Sequence, residues 1–263
     1  MKSNNQCRAI WISDIHLGTP MCKAEALLSF LRTHEAPTLY LVGDIVDCWN
    51  VGPAWHWTQA QTKVVEEIAR WHRSGVRVVF LPGNHDESNI DLVQTLFGSV
   101  SVRYELMHET GEGRRMLVIH GHQFDGTLNP NRWFARMGHQ AYRPLLRLNQ
   151  WTHAKGGCGP DNGPTLLSKV TSRMRRAFEY MTDFRESAVS NGASQRGADG
   201  VICGHIHRAE KREIGSILYV NDGDWVQSCT ALIESLDGKL RLVQWERSSA
   251  TMVERVANAE AAL

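Results

Sequence analysis

The sequence predicts an α/β fold: two packed mixed β-sheets flanked by helices, with a helical insertion set over them as a lid. Three observations predict it. Strand-like and helix-like segments alternate from the N-terminus to Leu81, the last third is again mostly β, and a long basic stretch with helical periodicity separates the two.

Taken in order, the apolar run Ala9-Ile10-Trp11-Ile12 predicts a strand to Ser13, followed by a helix from about Lys23 to His34. Leu39-Tyr40-Leu41-Val42 predicts a strand from Thr38, a helix follows from Gln59 to Arg73, and Val76-Arg77-Val78-Val79-Phe80 opens a strand to Leu81. Short β runs are expected at Val100 to Tyr104, Glu105 to His108 and Arg115 to His120, with Gly111-Glu112-Gly113 as a hairpin turn. The C-terminal strands are Gly200 to Cys203, Ala209 to Ile214, Ile217 to Val220, Cys229 to Ser235 and Leu240 to Trp245, with turns at Gly215-Ser216 and Asp237-Gly238. The expected division is a core of residues 1–125 and 196–250, a helical insertion over 126–195, and a tail over 251–263 rich in helix formers. The chain shows no internal repeat.

Composition narrows the function classes. With 263 residues, 42% of them hydrophobic, the chain can bury a substantial core, which excludes a disordered protein. A net charge of +1 gives no global pull toward nucleic acid, so no nucleic-acid partner is expected. The segment Met1 to Gln6 leads into the first strand without an apolar stretch, and nothing approaches the roughly 20 apolar residues that span a bilayer. A cytoplasmic location is the expectation. Six cysteines, at 7, 22, 48, 158, 203 and 229, show no CxxC spacing and read as reduced thiols used in packing.

Five polar motifs punctuate this framework: Asp14-Ile15-His16, Gly43-Asp44, Gly83-Asn84-His85-Asp86, Ile119-His120-Gly121 and Gly204-His205-Ile206-His207. Each offers carboxylate, imidazole or amide oxygen, donors that suit divalent metal ions, and most follow an apolar β run. The ligands therefore gather at strand ends, where open α/β sheets place their sites. Two cations about 3.5 to 4 Å apart can neutralise phosphoryl oxygens and activate water, which is what hydrolysis of a phosphate ester requires. A bridging carboxylate would set that spacing, and Asp44 is the candidate. One DxH or GD pair would carry little weight, but five in series point to a metal centre. His122 competes with His120 as a ligand, and His120 is preferred because it directly ends the strand Met116-Leu117-Val118-Ile119.

These motifs resemble the calcineurin-like metallophosphoesterase family, and the likeness covers most of the chain apart from the central insertion. It implies two mixed sheets with outer helices and two divalent metal ions, with manganese preferred and iron or zinc compatible. Carried over residue by residue, it implies Asp14, His16 and His207 on one metal, Asn84, His120 and His205 on the other, and Asp44 on both. His85 is then left to act on the phosphoryl group or leaving oxygen, with Asp86 orienting its ring. Gly43-Asp44-Ile45-Val46-Asp47-Cys48-Trp49, His120-Gly121 before a helical insertion, and Asn221-Asp222-Gly223-Asp224-Trp225 bring the chain nearest to the UDP-2,3-diacylglucosamine hydrolases within that family. That likeness implies cleavage of a UDP-linked acylated sugar to UMP and a lipid phosphate. Two positions depart from the group's pattern: His85 stands where it has Arg, and His122 where it has Asp. A soluble phosphodiester or phosphomonoester substrate is the alternative. A non-catalytic scaffold would be expected to have lost ligands, and none is missing.

The insertion is the other informative region. From Gly126 to Arg176 it holds nine basic residues and one acid, Asp161, so this stretch carries +8 and the remainder −7. Such asymmetry suggests an anionic partner: a phosphorylated, lipid-linked substrate or a peripheral contact with the inner membrane. Asn84, Arg132, Lys169, Arg173 and Arg176 are the expected substrate contacts. Leu167, Val170, Met174, Ala177, Phe178 and Met181 repeat at helical spacing on a face apart from Lys169, Arg173 and Arg176. The run Gly156 to Pro164 breaks the region into two helical pieces. The same basic face also fits ordinary solvated surface. His56, His72, His108, His139 and His153 read as surface or packing residues, and Trp49, Trp55 and Trp57 as packing or as walls of the site.

Overall fold

The structure is a computed structural model and describes residues 5–50, 52, 55–127 and 187–245. Two compact units make up the chain, residues 1–122 with 188–263 and residues 123–187. Arg132, Lys169, Arg173, Arg176, most of the expected lid and the tail 251–263 lie outside the described residues.

Strands β1 (Asn5–Ile12), β2 (His34–Glu35), β3 (Thr38–Val42), β4 (Arg77–Leu81), β5 (Ser101–Val102), β11 (Thr230–Ser235) and β12 (Leu240–Gln244) form the first sheet. Its order is β12-β11-β1-β3-β4-β5, with β2 paired to β1. The second sheet holds β6 (Glu105–Glu109), β7 (Arg115–Ile119), β8 (Gly200–Cys203), β9 (Glu210–Ile214) and β10 (Ile217–Asn221), in the order β6-β7-β8-β10-β9. Both sheets are mixed: β1, β3, β4 and β5 run parallel while β11 lies antiparallel to both of its neighbours, β1 and β12, and β7, β8 and β10 run parallel between antiparallel edges. Parallel neighbours need crossover segments between them. Helices α1 (Ala24–Thr33), α2 (Gln59–Arg73) and α3 (Ile90–Phe97) lie in those connections in the first sheet.

Alternation along the strands divides the core in two. Ala9, Trp11, Tyr40, Val42, Val79 and Leu81 meet Met116, Val118, Ile202 and Val220 in one cluster. Ile10, Ile12, Leu39, Leu41, Val78 and Phe80 pack with Leu27 and Phe30 of α1, Val64, Ile68 and Trp71 of α2, and Val93 and Phe97 of α3. With both faces covered, the central strands read as unbroken apolar runs. Thr58 caps α2 by accepting the Gln61 amide at 3.3 Å. The Gln61 side chain accepts from the Gly18 amide at 3.0 Å and donates to the Thr19 carbonyl at 2.9 Å, which anchors the loop after β1.

The two-sheet architecture and most expected elements match the structure. Helix α3 is an addition, since nothing was expected between Leu81 and Val100; with eight residues it is shorter than the window in which helical periodicity stands out. Residues 187–195 are also helical. Among the described residues no helix is long and apolar enough to cross a membrane, and the five described cysteines are free thiols.

At the end of the sheets away from the motifs, Glu234 is 1% exposed and accepts from Arg8 Nε at 3.1 Å and the Gly111 amide at 2.6 Å, with His108 Nε2 at 3.0 Å. His108 Nδ1 is 3.0 Å from the Tyr40 hydroxyl, and its ring stands edge-on to Trp11. One carboxylate thus ties β11 to β1 and to the β6–β7 hairpin. Glu234→Ala should cost about 1.5–3 kcal/mol, the worth of hydrogen bonds to a charged group. The check is a lower urea midpoint at unchanged slope, and a loss below about 0.5 kcal/mol, the range of ordinary surface changes, would contradict the assignment.

Candidate metal centre

All five motifs fall at the C-terminal ends of strands: Asp14 and His16 after β1, Asp44 after β3, Asn84 and His85 after β4, His120 after β7, and His205 and His207 after β8. The loops are laced together by their backbones. The amides of Asp14 and His16 donate to the carbonyls of Gly43 and Asp44 at 3.0 and 2.9 Å. The His205 amide donates to Asp14 Oδ2 at 2.8 Å and the His85 amide to Asp44 Oδ1 at 2.9 Å, so each carboxylate holds the neighbouring loop while keeping an oxygen to present.

Backbone conformation marks the same residues. Among the described residues, six other than glycine have positive φ, and five of them are Asp14 (50°), His16 (51°), Asp44 (52°), His205 (72°) and His207 (57°). A non-glycine residue held there costs on the order of 1–3 kcal/mol, and such strain gathers at functional sites. The motif glycines answer to crowding. A Cβ on Gly83 would strike Asp44 Oδ1 and its amide, and one on Gly204 would strike Ser13 Oγ. The loops close too tightly around the ligands to admit a side chain.

Three groups of possible ligands result among the described residues: two clusters, and a third set of His16, Asp47 and His85. Asp14, His16 and His207 bring ligand atoms within 4.8 Å of one another, as do Asp44, His120 and His205. His207 Nε2 lies 3.1 Å from Asp14 Oδ1, and His120 Nε2 lies 3.5 Å from Asp44 Oδ1. Asp44 Oδ2 is 3.9 Å from His16 Nε2, so this carboxylate reaches both clusters. Three imidazoles turn their Nδ1 toward oxygen acceptors: His120 to the Val42 carbonyl at 2.7 Å, His16 to Asp47 Oδ2 at 3.5 Å and His207 to Asp224 Oδ2 at 3.7 Å. An imidazole oriented this way presents Nε2 to a metal.

The donor set passes a direct test of fit. Asp14 Oδ1, His16 Nε2, Asn84 Oδ1 and His120 Nε2 are all buried and none completes a hydrogen bond. Leaving four such atoms unsatisfied in a core is costly unless a ligand takes them up. Electrostatics agree. Burial works against charge at Asp44, yet His120, with His16 and His85, brings its carboxyl well below the usual range. His120 is likewise opposed by burial, and Asp44 and Asp14 push it up to about 10. A site that holds a proton so strongly on His120 is one where a cation can replace it.

His85 lies against this centre in the same orientation as the three imidazoles above, with Nδ1 toward a carboxylate and Nε2 toward Asp44. Its ring stacks on Trp49 with centroids 3.6 Å apart and stands edge-on to His16 at 4.7 Å. Its Nε2 is 3.8 Å from Asp44 Oδ2. Asp86 does not orient it, contrary to expectation: the fully buried Asp86 carboxylate accepts the Gly83 and Ile45 amides, both at 2.7 Å, and staples the loop after β4 to the loop after β3. The carboxylate beside His85 Nδ1 is Asp47, at 3.4 Å, which also faces His16. Sequence reading gave Asp47 no role, although it lies three residues beyond Asp44. His122 Nε2 lies 3.1 Å from Glu87, while its ring stays 5.3 Å from that of His120 and its Nδ1 is buried without a hydrogen bond.

An α/β fold of two sheets with carboxylate–imidazole clusters at its strand ends defines a metal-dependent phosphoester hydrolase. The chain belongs to the calcineurin-like phosphoesterase family, whose sequence profile matches residues 7–209. It is 25% identical over 236 residues to the UDP-2,3-diacylglucosamine hydrolase of Neisseria meningitidis serogroup B, covering 88% of this chain and 94% of that one. It is 26% identical over 247 residues to the protein of the same name from Porphyromonas gingivalis, covering 82% and 89%. Among solved structures, Yfce, a phosphoesterase from E. coli, aligns over 94% of this chain and 98% of that one, with 20% identity and a TM-score of 0.48.

Proposed function

We propose that the protein hydrolyses the pyrophosphate of a UDP-linked acylated sugar, releasing UMP and a lipid phosphate. The observation that carries the reaction class is the pair of carboxylate–imidazole clusters at the strand ends, together with four buried donor atoms that complete no hydrogen bond. The substrate is supported by relatives named UDP-2,3-diacylglucosamine hydrolase that match most of the chain, and by the basic insertion.

Asp14, His16, Asp44 and His207 would hold one cation and Asp44, Asn84, His120 and His205 the other. Donors without thiolate suit manganese, with iron or zinc as alternatives. When bound, the pair would supply charge neutralisation at the phosphoryl oxygens and a nucleophilic water at neutral pH. The chain itself contributes position and proton transfer. Asp44 would hold both cations, while Asp47 at Nδ1 and Trp49 against the ring hold His85 with Nε2 toward the reacting groups. The water oxygen joins one phosphorus, the bridging P–O bond breaks, and His85 protonates the departing oxygen or steadies the phosphoryl group. Arg132, Lys169, Arg173 and Arg176 are proposed to grip the diphosphate, or with the membrane surface to hold the lipid-linked substrate at a cytoplasmic, peripheral location.

One feature favours a second reading. A departing phosphate is already a stable anion, whereas an alkoxide needs a proton. The carefully held His85 therefore also suits a phosphodiester or phosphomonoester with an alcohol leaving group.

His85→Ala should lower kcat by roughly 10²- to 10⁴-fold while metal content stays unchanged. Metal lost together with activity, or turnover unaltered, would contradict the role. Replacing Lys169, Arg173 and Arg176 together with Gln should raise KM for a UDP-linked lipid, spare a small aryl phosphate, and matter less as salt rises, because exposed charges are screened over about 8–10 Å. Hydrolysis of aryl phosphates or soluble diesters with no turnover of the UDP-linked lipid would favour the second reading.

A further inference from the structure

The polar positions of the segment Asn221–Trp225 are all buried: Asn221 and Asp222 are 0% exposed and Asp224, which faces His207, is 1% exposed. The segment runs behind the Asp14 cluster. The Asn221 amide nitrogen donates to the Gly204 carbonyl at 2.6 Å, the Trp225 amide to the Asp14 carbonyl at 3.1 Å, and the Asp222 amide to the Cys203 carbonyl at 3.0 Å. Asp224 Oδ1 accepts the amides of Val226, Gln227 and Ser228 at 2.9, 2.5 and 3.0 Å, which aims Oδ2 at His207.

The informative member is Asp222. Ser13 Oγ lies 2.7 Å from Asp14 Oδ2 and 2.6 Å from Asp222 Oδ1. A serine hydroxyl has one proton, and its third contact, the Gly223 carbonyl at 3.2 Å, can only accept, so the serine cannot supply the protons of both short carboxyl contacts. Asp14 Oδ2 already accepts from the His205 amide and acts as an acceptor. The additional proton therefore belongs to Asp222. The other oxygen, Asp222 Oδ2, is buried without a hydrogen bond, a much smaller cost for a neutral carbonyl than for a carboxylate. Burial also holds this carboxyl well above the ordinary range.

We propose that Asp222 is a positioning residue for the Asp14 metal site: as a neutral carboxylic acid it donates to Ser13 Oγ, which fixes the serine proton on Asp14 Oδ2 and leaves Asp14 Oδ1 for the metal. The proposal rests on the reading of Asp14 as a ligand. It assigns the loop a task that neither the family membership nor the relatives' names describe. Asparagine can replace the acid here, since its amide N–H donates to the same oxygen; alanine cannot.

The experiment uses the full chain, stripped of metal and titrated with Mn²⁺ by calorimetry, as wild type, Asp222→Asn, Asp222→Ala and Ser13→Ala. Asp222→Asn should bind two ions nearly as tightly as wild type, whereas Asp222→Ala and Ser13→Ala should weaken one of the two by about 10- to 100-fold. An alanine variant matching wild type, or an asparagine variant as weak as the alanine, would overturn the inference. Infrared difference spectra of the metal-free protein at pH 7, wild type minus Asp222→Asn, supply a readout that needs neither metal nor the alanine fold. The carbonyl stretch of a protonated carboxylic acid is expected, and its absence overturns the proposal. Wild type that takes up no Mn²⁺ while showing that stretch would instead remove the metal reading and leave the proton on Asp222.

Discussion

Everything at the strand ends is arranged around the carboxylate of Asp44. One oxygen receives the His85 amide and lies 3.5 Å from His120; the other faces His16 and His85. Its own carbonyl takes the His16 amide, and Gly83 must be glycine because Asp44 fills the space a side chain would need. A buried carboxylate so enclosed by imidazoles keeps its charge in spite of desolvation. Moving it would disturb the loops after β1, β3 and β4 together.

The fold supplies what this crowding requires. Parallel strands β1, β3 and β4 end side by side, and apolar residues cover both of their faces, so the loops grow from a rigid platform. On it the chain sustains positive φ at five candidate ligand positions and a set of buried polar groups that a surface loop could not hold. Asp86 and Gln61 act from below, converting side-chain hydrogen bonds into loop geometry. Asp47 and Asp224 act on the imidazoles and set which nitrogen faces inward. Function here is a matter of orientation, and much of the buried polar chemistry serves it.

How much of this was legible in the sequence follows from what each signal encodes. Strands Thr38–Val42 and Gly200–Cys203 and helix Gln59–Arg73 were expected with their observed bounds because apolar periodicity is a local property. Helix α3 is too short for that signal, and the isolated pair β2 depends on pairing with β1 rather than on its own residues. The ligand residues could be nominated from chemical type and from their position after β runs, and the grouping of His16 and His207 with Asp14 came from family likeness. Orientation was not legible. Asp86 sits next to His85 in sequence but turns to main-chain amides, while Asp47, 38 positions earlier, takes up the task. Ser13 and Asp222 are 209 positions apart and meet only because β1 and the loop after β10 converge.

The central claim is that one carboxylate joins two metal sites, and electron paramagnetic resonance of the Mn²⁺-loaded protein tests it most directly. Wild type with two ions per chain should give the broadened spectrum of an exchange-coupled pair. Asp44→Ala, which removes the shared ligand, should lose that coupling together with tight binding of the ions. Two retained ions with coupling intact in Asp44→Ala, or an uncoupled spectrum from fully loaded wild type, would contradict the account.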